Sequence, residues 1–263
     1  MDALQKILKF EWYDQIRNKW IVLYTAFFFV LTFGLFQLQG DASRVFLTMT
    51  QILLLIVPLV SMIFGAMHVY HSREFIEILL CQPIRRSKLF WGVYLGMALP
   101  LAGGFVVGAG VPILMFGYNS IPDWRIPVML LGTGLLLTMI FSALAFGIAM
   151  RTDDKLKGIG FALGLWFALA LLFDGMVLYI VYAFADYPLE KPLIGISMLN
   201  PINIARSMIL MKMDVAAMMG YTGAAFKKFF GGSLGVIVSL AALVGWAVIP
   251  LFFAKRHFLK KDF

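Results

Sequence analysis

Six stretches of this chain are each apolar over about the thickness of a lipid bilayer. They run from Trp20 to Leu38, from about Ile52 to Tyr70, from Leu89 to Gly117, from Ile126 to Met150, from Gly158 to Phe184 and from Gly231 to Ala254. Crossing roughly 30 Å of hydrocarbon takes about 20 helical residues. Inside lipid the backbone has no water to bond, so a spanning segment must satisfy its own amides, and no strand-like alternation runs through these stretches. The expected fold class is therefore all-α membrane: one domain, residues 1–263, with six transmembrane helices. Composition agrees. Apolar residues make up 62% of the chain and charged ones 14%, against about 45–50% and 25% in soluble domains. The first 19 residues are charged and carry no cleavage signal, so the apolar run after them reads as an anchor.

Lysine and arginine set the orientation. With both termini on one side, that side holds 15 of the 22 Lys and Arg residues. The positive-inside rule then predicts cytoplasmic termini. The net charge of +8 thus reflects topology and implies no nucleic-acid partner; membrane lipid is the expected surrounding. The single cysteine, Cys81, excludes an intrachain disulfide and reads as a small buried apolar residue. Gly104/Gly108 and Gly160/Gly164 are GxxxG pairs, which predict close helix packing.

Three segments lie outside the spans. Residues 1–19 place Leu4, Ile7, Leu8, Trp12 and Ile16 near helical spacing, which predicts a helix lying in the interface. Residues 71–88 form a cytoplasmic segment between spans two and three. Within it Ile76, Leu79 and Leu80 make a short apolar stripe on a helix that Pro83 should stop, and Ser87 suits the cap of the next helix. Such an amphipathic helix suits the groove of a partner. Residues 185–230 are expected to form short helices over the outer, periplasmic mouth.

The stretch Glu77-Ile-Leu-Leu-Cys-Gln-Pro-Ile-Arg-Arg86, followed by Gly92-Val-Tyr-Leu-Gly96, resembles the permease subunits of type-2 ABC exporters. That resemblance implies a coupling helix docking on a separate ATPase subunit, with Arg73, Glu74, Ile76, Glu77, Leu79, Leu80, Gln82, Pro83, Arg85 and Arg86 as the coupling residues. The upstream acidic-Gly pair common in the family is replaced by Arg73-Glu74. Residues Leu199-Asn-Pro-Ile-Asn-Ile-Ala-Arg206 and Met219-Gly-Tyr-Thr-Gly-Ala-Ala-Phe226 are similar to the permeases of nitrous oxide reductase maturation systems. This implies a second copy of the chain, two ATPase subunits, and a periplasmic β-helical protein that hands copper to the reductase. Asn200, Pro201, Arg206, Gly220, Tyr221, Thr222 and Gly223 are then the residues expected to meet that periplasmic partner. The implied localisation is the bacterial inner membrane.

A phosphate-binding loop needs GxxxxGK[ST], and no Gly-Lys pair occurs in the chain. ATP hydrolysis is therefore expected from a separate subunit and not from this chain; ATP and Mg would belong to that partner, and no cofactor is expected on the chain. Asp174 is the intramembrane polar residue, near the outer end of span five, and such a carboxylate is a functional candidate. His68 and His71 are three apart at the cytoplasmic end of span two but lack further ligands at fixed spacing. Met208, Met211, Met218 and Met219 fall within one arc of a helix drawn over 203–219. Thioethers are Cu(I) ligands, though a methionine stripe more often serves as packing. Two other readings remain open: an ABC exporter of an unrelated small molecule or lipid, and a lone secondary transporter, for which Asp174 would be the ionisable group. A passive membrane scaffold is a third.

Overall fold

The computed structural model describes residues 7, 9, 11–13, 15, 18–117, 121, 123–184, 190–213 and 233–260. Among these it is helical throughout, with α1 Lys19–Gln39, α2 Ala42–His71, α3 Arg73–Leu80, α4 Arg86–Gly117, α5 Arg125–Arg151, α6 Lys155–Phe167, a π-turn Ala168–Leu172, α7 Phe173–Ala183, α8 Glu190–Ser197, α9 Pro201–Lys212 and α10 Ser233–Lys260. Six rods are long and apolar enough to span: α1, α2, α4, α5, α6 with α7, and α10. The six spans read from hydropathy are all present. The second starts ten residues earlier than expected. Gly40, at φ 63°, ends α1 in the left-handed conformation, and Asp41 accepts from the Ser43 amide to open α2 at once.

The rods divide by burial. About half of each apolar window is buried in α2, α4 and α5, but only 22% in α1 and 11% in the fifth and sixth spans. The first three form the packed centre, and the others leave broad apolar faces outward, as a lipid-solvated bundle should. The broadest contact joins α2 to α5. There a Cβ on Gly65 would sit 2.8 Å from the Ala145 methyl, so the two backbones are at closest approach. Gly104 and Gly108 likewise seat Thr25 and Phe28 of α1, as expected. Gly160 and Gly164 do not pack this way: both are exposed with nothing within 4 Å of an added Cβ.

The two ends of the bundle are built differently. At one end the residues before α1, the α2–α4 connection, the α5–α6 connection and the end of α10 converge. This is the end holding most of the basic residues. At the other end α8 and α9 fold back against the bundle. The helix α9 is buried almost along its length through Ile202, Ile204, Ala205, Met208 and Ile209, packing on α2, α5 and α10.

Candidate functional site

The basic end centres on α3. Its register follows from amphipathicity: residues at i, i+3, i+4 and i+7 share a face. Glu74, Glu77, Ile78 and Cys81 occupy one such face and are all exposed. Ile76 points the opposite way. It is 0% exposed, in an apolar cluster with Val69, Leu89, Phe90 and Phe146, against which Leu79 and Leu80 also rest. The expected anchor stripe of Ile76, Leu79 and Leu80 therefore fastens the helix to its own bundle. The apolar residue left outward is Ile78, 63% exposed. Cys81 is also exposed rather than buried. After α3, Gln82, Pro83, Arg85 and Arg86 remain accessible. The next helix opens on Arg85, whose carbonyl accepts from Lys88 and Leu89; Ser87 is already inside it.

Arg73 is not a rim residue. Its guanidinium donates to the carbonyls of Ala149 at 2.8 Å, Thr152 at 2.6 Å and Asp153 at 3.0 Å, and lies 3.5 Å from the Asp153 carboxylate. Orphan carbonyls at a helix C-terminus carry partial negative charge, so Arg73 caps α5 from a neighbouring element. The Tyr70 ring stacks 4.7 Å from the guanidinium carbon, and its hydroxyl donates to Thr152 as well. Arg86 does the same for α10, donating to the Leu259 carbonyl at 3.2 Å. The α3 segment is thus tied to the C-terminal ends of both α5 and α10.

A second junction, next to the start of α3, joins α2 and α4 to the N-terminal segment. Ile7 lies against Gly92 and Glu11 against Gly96, where any Cβ would collide. The Gly92/Gly96 pair is therefore the seat of the N-terminal helix. Gln15 donates to His68 Nδ1 at 2.6 Å. That leaves the ring proton on Nε2, 3.3 Å from both the Glu11 carboxylate and the Ser72 hydroxyl. Glu11, Gln15 and Ser72 are buried. Ser72 closes α2 through its N–H to the His68 carbonyl and directly precedes α3. His71 turns elsewhere, its Nδ1 against the Met67 carbonyl, so the two histidines share no ligand.

At the far end the π-turn is the organising feature. A π-turn displaces one carbonyl from the α-helical ladder. The Asn200 amide donates to the Leu169 carbonyl at 2.6 Å, while its oxygen accepts from Ile202 and caps α9. One turn on, Asp174 pairs with Arg206 at 2.7 Å, their side chains 32% and 26% exposed. Trp246 of α10 donates to the Met198 carbonyl before α9. Asn200, Pro201 and Arg206, expected to face a periplasmic partner, thus hold α9 to its own chain, with Asn200 and Pro201 fully turned in. The other four expected partner residues, Gly220 to Gly223, lie outside the described residues. So do Met218 and Met219, as does the side chain of Met211; Met208 is buried on α9.

Sequence reasoning missed Glu11, Gln15 and Ile78. The exposed stripe was legible, since Glu74, Glu77, Ile78 and Cys81 have the same spacing logic as the stripe that was chosen. The Glu11–His68 contact spans 57 residues and leaves no local signal.

Six helices long and apolar enough to span, with a short helix held across one end of the bundle, make this an all-α membrane protein. The chain matches the ABC-2 family transporter protein model over residues 5–263 and belongs to that family. It is 27% identical to the "Probable ABC transporter permease protein NosY" of Pseudomonas aeruginosa over 84% of this chain and 86% of that protein. To the protein of the same name from Stutzerimonas stutzeri it is 24% identical, over 78% and 80%. It is an ABC transporter permease subunit, and the family implies an ATPase partner.

Proposed function

We propose that this permease couples ATP hydrolysis by a separate subunit to a change at its far face, in a bacterial inner membrane with both termini cytoplasmic. The carrying observation is the exposed face of α3, where Glu74, Glu77, Ile78 and Cys81 stand outward while Arg73 grips the α5 terminus. In this reading Ile78 fills a pocket on the ATPase subunit, and Glu74, Glu77, Gln82 and Arg85 make the polar rim, the usual anatomy of an interface. A push on α3 then reaches α5 through Arg73 and the N-terminal helix through His68. Two copies with two ATPase subunits make the working unit.

The finer role is copper-site maturation of nitrous oxide reductase, with a periplasmic β-helical protein on the far face. Its support is the likeness of residues 199–206 and 219–226 to the permeases of that system, together with the names of the two relatives. Copper is handled by the complex in this reading, ATP and Mg by the ATPase.

The tagged chain, purified in mild detergent, should bring down a stoichiometric ATPase, and Ile78→Glu should lose it while the bundle stays folded. Recovery of the chain alone, or full binding by Ile78→Glu, would overturn the coupling role. Cells lacking the chain should accumulate nitrous oxide reductase without its copper; a fully loaded reductase would remove the finer role and leave the coarser one standing.

A further inference from the structure

A groove of about 530 Å³ runs between α1 and α4, with Trp12 of the N-terminal segment at one end. It follows α1 from Ile21 to Phe29 and α4 from Pro100 to Gly108. Eight residues at 1.5 Å each make about 12 Å on either wall, close to the depth of one leaflet, half of the roughly 30 Å hydrocarbon layer.

The geometry explains why the groove exists. The helices touch where an added Cβ at Gly104 or Gly108 would meet Thr25 at 2.7 or 2.5 Å, and part beside Gly103, which has nothing within 4 Å. The Thr25 hydroxyl on its wall is already spent on the Ile21 carbonyl at 2.9 Å, so the lining offers no free polar group there. Water has no partners in such a site and an apolar chain has many. A helix of a second copy would need the whole depth of the membrane. The N-terminal segment, seated on Gly92 and Gly96, closes the groove at its headgroup end instead.

Charge indicates which lipid. Lys19 opens α1 two residues before the groove, and Lys9 stands exposed over the Tyr13 ring on the capping segment. Trp12 beside them is half in, half out, as aromatic rings at a headgroup level are. We propose that this groove holds one acyl chain of an anionic glycerophospholipid from the leaflet on the N-terminal side, its headgroup meeting Lys9 and Lys19. The bound lipid is a wedge that fixes the N-terminal helix against α4.

The test uses the full chain in vesicles of phosphatidylcholine doped with a lipid brominated near the headgroup end of its acyl chain, which quenches nearby indole. Emission of Trp12 is read as the difference from Trp12→Phe, since the chain has 6 tryptophans. Brominated phosphatidylglycerol should quench Trp12 at up to about thirtyfold lower mole fraction than brominated phosphatidylcholine, the preference expected when two lysines meet the headgroup. Gly103→Leu should fill the groove and abolish the preference with Tm unchanged. Lys9→Gln with Lys19→Gln should abolish it without touching the groove, and serves if the leucine variant does not fold. Equal quenching by the two lipids, or a preference that survives both variants, overturns the proposal. So does efficient copy-to-copy disulfide formation by Gly103→Cys, which would give the groove to a second chain.

Discussion

The two ends of this permease hold their short helices by opposite means. At the basic end α3 lies across the bundle, one face buried through Ile76 and the other bare. Its polar tether, Arg73, reaches carbonyls at a helix terminus. At the far end α9 is sunk into the bundle, and its tethers, Asn200 and Arg206, reach the interior of a span beside a π-turn. A surface lever can be grasped by another protein; a sunken helix can only be moved by its own spans. On the coupling role proposed above, the comparison teaches where force would enter and where it would be spent: at α3, and at the π-turn, an irregular point in the fifth span.

The largest effect should come from Arg73→Ala. It removes three carbonyl contacts and the stacking on Tyr70, leaving the α5 terminus uncapped. With charged hydrogen bonds worth about 1.5–3 kcal/mol each and partial compensation by water, a loss of about 3 kcal/mol follows. Thermal unfolding in detergent reads it, and Arg73→Lys should restore less than half, because an ammonium lacks the fork geometry. Next comes Gly96→Val, which forces its side chain into Glu11. Overpacking of this kind costs about 2 kcal/mol. Here the cost should fall on the N-terminal helix alone, read as faster hydrogen exchange at residues 7–15 with the spans still protected.

How much of this contrast was written in the sequence depends on range. The spans were legible because each is a local run of apolar residues, and membrane solvation makes such runs decisive. The lever was legible as an amphipathic helix, but its facing was not. Eight residues with apolar groups on both sides, Ile76 and Ile78, carry two possible stripes, and packing against Phe90 and Phe146 chose between them. Asp174 was legible as an expensive residue; its partner Arg206, 32 positions away, was not. The outer segment misled because Asn200 and Arg206 are polar, and polar residues near a membrane face read as exposed. The structure pairs them inward instead.

That inward pairing sharpens the comparison at a smaller scale. Asp174→Asn keeps a hydrogen-bonding shape but removes the charge facing Arg206. A partly exposed charged hydrogen bond should cost about 1.5 kcal/mol when lost. The charge swap Asp174→Arg with Arg206→Asp should recover part of it. Were Asp174→Asn and the swap both as stable as wild type, the pair would be a bystander, and the far end would be held by Asn200 and apolar packing alone.

The smallest stability effect belongs to Arg85→Glu, and it is the variant that most directly tests the lever. Arg85 is exposed and serves the following helix through its carbonyl, not its side chain. Surface substitutions of this kind move stability by about 0.5 kcal/mol or less. Arg86→Glu is a poorer probe, because its guanidinium holds the end of α10, so a defect there would mix folding with coupling. For Arg85→Glu the unfolding curve should overlay wild type while affinity for the ATPase subunit falls about tenfold, as for a rim charge reversed against a complementary surface. An unfolding shift with intact binding would reverse the assignment: the basic end would be holding itself together through Arg85, and the ATPase would be docking on some face other than the one α3 presents.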